Sequence, residues 1–267
     1  MIIELFGPPA AGKTTLARAL ATALGKDGFE VQLILSSRPA ERGSIEVENA
    51  RALSSCGTAL AAPLSRAAKL ASAAPVLLAG ARSDELAASL MDLLPPRTLL
   101  RSVRLRRLLS LLSRSWKMAR TSDRIVIFDQ GFLTVLCTMA LLARFVDRNI
   151  LVRGLALIPR PDLLIRLDAP REILESRLRS RLARQGRLER LFEFDLQTAL
   201  RQIETANEVA HLLQEKGGRI LHVSSLDGRL LEKELDRIVR DVKSWVEKID
   251  LANRSPIERR PIVQAAR

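Results

Sequence analysis

A nine-residue stretch near the N-terminus has the residue types and the spacing needed to bind phosphate groups. It reads Gly-Pro-Pro-Ala-Ala-Gly-Lys-Thr-Thr and fits the pattern G-x-x-x-x-G-K-[ST]. The two glycines permit backbone angles that a Cβ would hinder, so loop amides can surround an anion at a helix N-terminus. The lysine, expected at an exposed edge, supplies positive charge, and the first threonine can bind Mg²⁺. We predict that ATP and Mg²⁺ bind here, with the residues Gly7, Ala10, Ala11, Gly12, Lys13, Thr14 and Thr15 holding the nucleotide.

The elements that must position this loop are predicted from apolar runs that alternate with helical patterns along the chain. We predict strands over 1–6, 29–35, 124–129, 162–168 and 219–223, and helices over 13–24, 131–144, 171–184, 196–216 and 230–246, with mostly helical structure from 43 to 121. Strands separated by helices imply a parallel sheet with right-handed crossovers. The expected fold class is therefore α/β: a three-layer α/β/α P-loop NTPase with a five-stranded parallel sheet. One domain is expected over 1–250, with an arginine-rich lid at about 171–190 and a loose tail over 251–267.

Asp129 ends the third predicted strand, where a buried carboxylate is costly unless it has a partner or a role. Ligands of such sheets bind beyond the carboxyl ends of the strands, at the edge that also carries the phosphate-binding loop. Asp129 can therefore hold Mg²⁺ together with Thr14, usually through water. The alternative is that it caps the helix that follows near Gly131.

A basic segment follows the fourth predicted strand. Arg177, Arg181 and Arg184 recur at helical spacing, so they share one face, where like charges repel each other. A polyanionic ligand would relieve that repulsion, and arginines supply the positive charge that phosphoryl transfer requires. A solvated basic surface is the alternative.

Taken together, these features resemble the thymidylate kinase and deoxynucleoside kinase group. The resemblance rests on the phosphate-binding loop, on the carboxylate that ends strand three, and on the run Asp-Ala-Pro-Arg-Glu-Ile-Leu-Glu-Ser-Arg-Leu-Arg-Ser-Arg over 168–181. It implies that Arg177 and Arg181, and less firmly Arg184, form a lid over the ATP phosphates. It also implies catalytic roles for Lys13, Asp129, Arg177 and Arg181, and contact with the adenine by the loop that contains Asp227.

The acceptor side departs from the pattern of that group. Gln130 stands where the group has an arginine, and Arg38 stands where it has the glutamate before a proline. Glu41, three residues further on, can substitute for that glutamate. The resemblance therefore implies that Arg38, Glu41 and Gln130 face the acceptor, while its identity stays open.

Composition limits the classes of partner and compartment. The formal net charge is +13, but there are only seven Phe, two Trp and no Tyr to stack on bases, which disfavours single-strand nucleic-acid binding. No apolar run is long enough for a membrane span. The two cysteines, Cys56 and Cys137, do not form a metal-binding pattern. With a core strand at the N-terminus and reduced thiols, a cytoplasmic protein is expected.

The segment from Leu93 to Ser122 contains eight basic residues and no acidic one. Its apolar side chains fall at helical spacing and predict a buried stripe, formed by Leu105, Leu108, Leu109, Leu112 and Trp116. The basic face of this helix can be merely solvated, line an anionic-acceptor site, form a homodimer, or meet an acidic surface.

The leading hypothesis is an ATP- and Mg²⁺-dependent kinase that phosphorylates a small-molecule acceptor, most similar to nucleoside and nucleotide kinases. One alternative is a kinase for a non-nucleoside hydroxyl or phosphate acceptor. Another is a P-loop ATPase with a regulatory or nucleic-acid-binding role.

Overall fold

The computed structural model describes residues 1–35, 84–143, 145–184, 195–224 and 228–254. The strands are β1 (Ile2–Phe6), β2 (Val31–Ile34), β3 (Ile125–Phe128), β4 (Leu163–Asp168) and β5 (Ile220–Ser224). The helices of these ranges, numbered in chain order, are α1 (Lys13–Lys26), α2 (Glu85–Leu93), α3 (Leu99–Arg120), α4 (Phe132–Leu142), α5 (Arg148–Leu157), α6 (Arg171–Arg184), α7 (Leu196–Glu215) and α8 (Gly228–Arg254).

The five strands form one parallel sheet in the order β2-β3-β1-β4-β5. β1 is central, and β3 and β4 are its neighbours, with Ile3 in register with Ile127 and with Leu163. Because all strands point the same way, the loops that follow β1, β3 and β4 meet at one edge of the sheet. The predicted five-stranded parallel sheet is confirmed.

Two hydrophobic clusters cover the two faces of the sheet and give the three predicted layers. One cluster contains Ile2 and Phe6 of β1 with apolar residues from α2 to α5 and α7. The other contains Ile3 and Leu5 of β1 with residues from α1 and α8. β1 is therefore buried on both sides, as expected of a central parallel strand that is almost continuously apolar.

Several helix limits differ from the prediction. α1 continues past Gly25, because the glycine with the left-handed φ of +87° is Gly28, and the amide of Phe29 reaches back to the carbonyl of Leu24. α5 was not predicted; it begins after Asp147, whose carboxylate accepts from the Ile150 amide at 2.7 Å. α8 continues to Arg254, past the residue where the tail was expected to begin.

The predicted buried stripe of α3 is correct for all of its residues except Leu108. Leu105, Leu109, Leu112 and Trp116 are buried, and Trp116 packs against Phe128 and Phe132. Leu108 is 43% exposed because it lies to one side of that stripe. None of the described helices is both long and apolar enough to cross a membrane.

Candidate functional site

The loop between β1 and α1 has the backbone shape of an anion site. Gly7 and Gly12 have φ values of +136° and +90°, and Ala10 takes a left-handed φ of +63°. A Cβ on Gly7 would lie 2.3 Å from the carbonyl oxygen of Leu167, so the loop passes directly over the end of β4. Gly12 is the N-cap of α1 and offers no side-chain acceptor. The first amides of α1 therefore face a position where a bound anion would be stabilised.

Lys13 lies inside this loop rather than at its exposed edge. Its ammonium donates to the carbonyl oxygens of Gly7 at 2.9 Å and Pro8 at 2.7 Å. The side chain is buried, so the expectation that it faces solvent is wrong. Both acceptors are neutral carbonyls of the loop, and they hold the positive charge beside the N-terminus of α1, which also favours an anion.

Thr14 and Asp129, 115 residues apart in the chain, meet at the sheet edge. The Thr14 hydroxyl donates to Oδ2 of Asp129 at 2.9 Å, and Asp129 is fully buried. A hydroxyl and a carboxylate are hard oxygen donors of the kind that Mg²⁺ prefers. The described residues contain no group of three His, Cys, Asp or Glu that could hold a metal. The pair therefore fits a Mg²⁺ that takes its remaining oxygens from phosphates and water, and it does not fit an all-protein metal cage.

The capping alternative for Asp129 is weakened by the start of α4. Gly131 is the N-cap of that helix, without a side-chain cap of its own. The Leu133 amide instead donates to Oε1 of Glu4 at 2.8 Å. A carboxylate from β1 thus occupies the position that the capping alternative gave to Asp129.

The three predicted lid arginines of the basic helix α6 lie in different surroundings. Arg177 Nη1 lies 3.5 Å from the carbonyl oxygen of Ala10, beside the phosphate-binding loop, and Arg181 is half-buried one turn further on. Arg184 is exposed and donates to the Ser180 carbonyl of its own helix. Arg179 is exposed and pairs with Glu175 at 2.6 Å. α6 therefore brings Arg177 to the loop, whereas Arg179 makes a pair along the helix surface.

The acceptor side is described only at Gln130, which follows Asp129 and is half-buried. The predicted acceptor residues Arg38 and Glu41 lie outside the described residues. So do the predicted adenine contact Asp227 and the part of the predicted lid from 185 to 190. Of the other loop residues, Ala11 is buried and Thr15 is exposed.

Glu4 is a residue near the site that the sequence pattern did not single out. It lies in the middle of β1, fully buried, and its Oε2 has no hydrogen-bond partner among the described atoms. Burial raises the pKa of this carboxyl to about 8, although the Leu133 and Phe132 amides act in the opposite direction. A glutamate inside an otherwise apolar strand was the available signal.

A second polar group that was missed lies at the ends of β4 and β5. Arg166 donates to Oδ1 of Asp168 at 2.8 Å and to Oδ1 of Asn207 at 2.7 Å. His222 lies 3.1 Å from the other oxygen of Asp168. These contacts fix the end of β4, on which the phosphate-binding loop rests through Leu167.

Comparisons with known proteins agree with this geometry at the level of fold. No protein-family model matches the chain, and no curated protein matches it in sequence. A deoxyadenosine kinase from M. mycoides with bound dATP matches with a TM-score of 0.50 and 16% identity, over 91% of this chain and 100% of that chain. A deoxyadenosine kinase from M. mycoides with dCTP gives 0.44 and 14%, over 91% and 100%. Another, with the products dCMP and a flexible dCDP, gives 0.45 and 14%, over 91% and 99%.

At such low identity the likeness shows the fold alone. The chain has the α/β fold of P-loop kinases, with the sheet order found here, and it is structurally similar to a deoxynucleoside kinase over most of its length. The fold implied by the sequence resemblance is therefore confirmed.

Proposed function

We propose that this chain is a Mg²⁺-dependent kinase that transfers the γ-phosphoryl group of ATP to a small acceptor of the nucleoside or nucleotide class. The observation that carries the proposal is the convergence of three elements on one sheet edge. These are the loop with its buried Lys13, the Thr14–Asp129 pair, and Arg177 beside Ala10.

The phosphate-binding loop acts by positioning and by charge. The amides at the start of α1 and the Lys13 ammonium stabilise the β- and γ-phosphates where negative charge accumulates. The loop carbonyls of Gly7 and Pro8 hold the ammonium close to the amides that would bind the anion. Mg²⁺, when bound, supplies further neutralisation; Thr14 would hold it directly and Asp129 would hold it through water.

The chemical step exchanges one phosphorus–oxygen bond for another. The acceptor oxygen forms a bond to the γ-phosphorus, the bond from that phosphorus to the bridging oxygen breaks, and ADP leaves. A hydroxyl acceptor gives its proton to a base on the acceptor side, for which Glu41 is our candidate carboxylate. Arg177 and Arg181 stabilise the migrating phosphoryl group from the lid side.

The experiment measures ADP formation by the purified chain with Mg·ATP and a panel of acceptors. Deoxynucleosides, nucleosides, their monophosphates and simple polyols form the panel. We expect ADP formation that depends on one class of acceptor. Lys13→Met removes the charge and keeps most of the stem, and it should lower turnover at least about a hundredfold. Lys216→Met, at an exposed lysine after α7, is the matched control.

Three outcomes of the acceptor panel separate the hypotheses, and a fourth result tests the loop itself. Acceptor-dependent turnover with nucleosides or their monophosphates supports the proposal, and turnover only with the polyols favours the non-nucleoside kinase. ADP formation at the same rate without any acceptor indicates an ATPase. Equal ATP affinity of Lys13→Met and the parent chain, measured by calorimetry with an unchanged melting temperature, would show that the loop is not the nucleotide site.

A further inference from the structure

The outward face of α3 combines exposed apolar side chains with arginines, and no proposed site residue lies on it. Leu100 is 79% exposed, Leu111 is 51% exposed and Met118 is 62% exposed. The residues Leu100, Arg104, Arg107, Leu111, Arg114 and Met118 follow one another at alternating steps of four and three, so they form one stripe along the helix. This stripe, the α3 stripe, is about 27 Å long at 1.5 Å per residue.

These exposed apolar side chains are not needed to pack α3 against the core. The opposite side of α3 already buries Leu105, Leu109, Leu112 and Trp116 against the sheet. The helix is thus anchored by one apolar face and presents a second, mixed face outward. Arginines separate the exposed apolar side chains along the α3 stripe, so this face alternates apolar and basic groups, as a helix does that meets an anionic and partly apolar partner.

The apolar surface continues beyond the N-terminal end of the stripe. Leu99 is 85% exposed, and Phe145 is 72% exposed. Phe145 lies two residues after Ala143, which pairs with Pro96 and accepts from Arg97 Nε at 3.2 Å. An aromatic ring and two leucines are therefore grouped with basic residues at this end of α3.

The positive charge of this surface indicates an anionic partner. The segment from Leu93 to Ser122 holds eight basic residues and no acidic one, in a chain of net charge +13. A second copy of the chain would bring arginine against arginine at three of the six positions of the α3 stripe if packed parallel and at two of the six if packed antiparallel. It would also add a second net charge of +13, so self-association is disfavoured. A nucleic acid would satisfy the arginines but offers nothing apolar for the leucines, and the tryptophan of α3 is buried and cannot stack on bases.

We infer that the α3 stripe docks on an anionic lipid bilayer, with α3 lying in the plane of the interface. Arginines beside lipid phosphates and leucines, methionine and phenylalanine at the acyl boundary are the combination that such surfaces bind. The eight basic residues of the segment rule out insertion across the bilayer, in agreement with the hydropathy of the described helices. The inference does not depend on the proposed kinase activity.

Vesicle flotation with the full chain tests this inference, because floated protein is separated from aggregates. We expect the chain to float with phosphatidylcholine vesicles that contain about one-third phosphatidylglycerol, and not with phosphatidylcholine alone. Binding should weaken as salt rises. Arg107→Gln with Arg114→Gln should lower the partition about thirtyfold, the effect expected of two cations at the surface. ATP turnover should be unchanged in this variant.

The matched control removes the same charge elsewhere. Arg153→Gln with Arg240→Gln, at exposed arginines of α5 and α8, should change the partition no more than about twofold. Leu100→Ser, Leu111→Ser and Met118→Ser together keep every charge and should also abolish flotation. Should this triple variant fail to fold by circular dichroism, the arginine pair still decides the question.

Several results would overturn the inference. Absence of flotation with the anionic vesicles at low salt is one, and equal losses in the two arginine pairs is another. Unchanged flotation of the folded serine variant would mean that the vesicles bind the charges alone and that the apolar side chains contribute nothing. Capture by soluble polyglutamate without flotation would identify an acidic protein surface as the partner, and self-association that the serine substitutions abolish would identify a second copy of the chain.

Discussion

Asp129 shows how a single side chain can connect two parts of the site. It is fully buried at the end of β3, and its carboxylate accepts a hydrogen bond from the hydroxyl of Thr14 in the first turn of α1. A buried carboxylate is costly, so its retention needs either a structural or a functional benefit. Since Glu4 receives the Leu133 amide at the start of α4, we favour the functional one.

Asp129→Asn keeps the shape of the side chain and removes its charge. We expect Mg²⁺-dependent turnover to fall at least about tenfold, with little change in melting temperature, because the amide is a poorer partner for a hydrated cation. Turnover is measured over a Mg²⁺ titration, and Asp123→Asn, at an exposed aspartate that precedes β3, is the control. A melting temperature lower by several degrees with unchanged Mg²⁺ dependence would show that Asp129 is structural.

At the scale of single residues, the sequence predicted the side chains whose spacing is fixed by a motif. Lys13, Thr14 and Asp129 were predicted to share an edge, and they do. Glu4 was missed because strand patterns are read for their apolar positions, and its contact with the Leu133 amide joins residues far apart in the chain. The burial of Lys13 was also missed, because it depends on how the loop carbonyls fold back over the ammonium.

At the scale of the elements, two features can be tested: the direction in which α6 points its arginines, and the backbone conformation of the loop before α1. α6 presents its arginines to different surroundings, since Arg177 lies against the loop and Arg179 pairs with Glu175 on the surface. The sequence placed Arg177, Arg181 and Arg184 on one face of the helix, and Arg179, two residues after Arg177, lies off that face. Which arginine would come closest to the loop could not be predicted, since it depends on how α6 packs through Leu174 and Leu178.

Arg181→Ala tests the lid at the scale of this helix. Interactions that form mainly in the transition state lower turnover when removed and leave substrate binding nearly unchanged. We expect turnover to fall at least about tenfold, which corresponds to about 1.4 kcal/mol. Arg179→Ala loses only a surface pair worth a few tenths of a kcal/mol and should do less. Equally small effects of both substitutions in a working kinase assay would reduce α6 to a solvated basic face.

Gly7→Ala tests the junction of β1 and α1. The new Cβ would meet the Leu167 carbonyl at 2.3 Å on a backbone with φ of +136°, so the loop must shift. We expect a loss of about 2–3 kcal/mol in the free energy of unfolding, measured by urea denaturation. Gly25→Ala, within α1 and with no atom near the new Cβ, should instead stabilise by about 0.5–1 kcal/mol. Similar effects at both glycines would contradict the proposed backbone strain.

At the scale of the whole molecule, alternation of strands and helices was enough to predict the layers but not the order of the strands. Five parallel strands followed from the pattern, whereas the order β2-β3-β1-β4-β5 depends on which crossovers pass over which face. α5 was missed because its buried side chains, Leu151 and Leu155, give only one turn of apolar repeat. The burial of β1 on both faces is also a property of the assembled sheet. It means that the environment of the Glu4 carboxyl changes when the whole chain unfolds.

Glu4 gives the folded molecule a stability that depends on pH. Its pKa is raised to about 8 from an ordinary value of 4.5, mainly because burial disfavours the carboxylate. Between these two values the folded chain keeps the proton that the unfolded chain has lost, so unfolding releases a proton and stability falls as pH rises. Below the lower value both states are protonated, and above the upper value both are ionised, so the effect is confined to the window between them.

Glu4→Gln removes this titration and keeps an oxygen that can accept from the Leu133 amide. From pH 6 to pH 8 we expect the free energy of unfolding of the parent chain to fall by about 2 kcal/mol relative to the variant. Urea denaturation at several pH values measures both curves, and the variant cancels contributions from other groups that titrate in this range. Cys137, buried on the same face, does not ionise in this window because burial raises its pKa to about 12. Parallel stability curves for the two proteins would show that Glu4 is already ionised at pH 6, with its charge held by the amides at the start of α4.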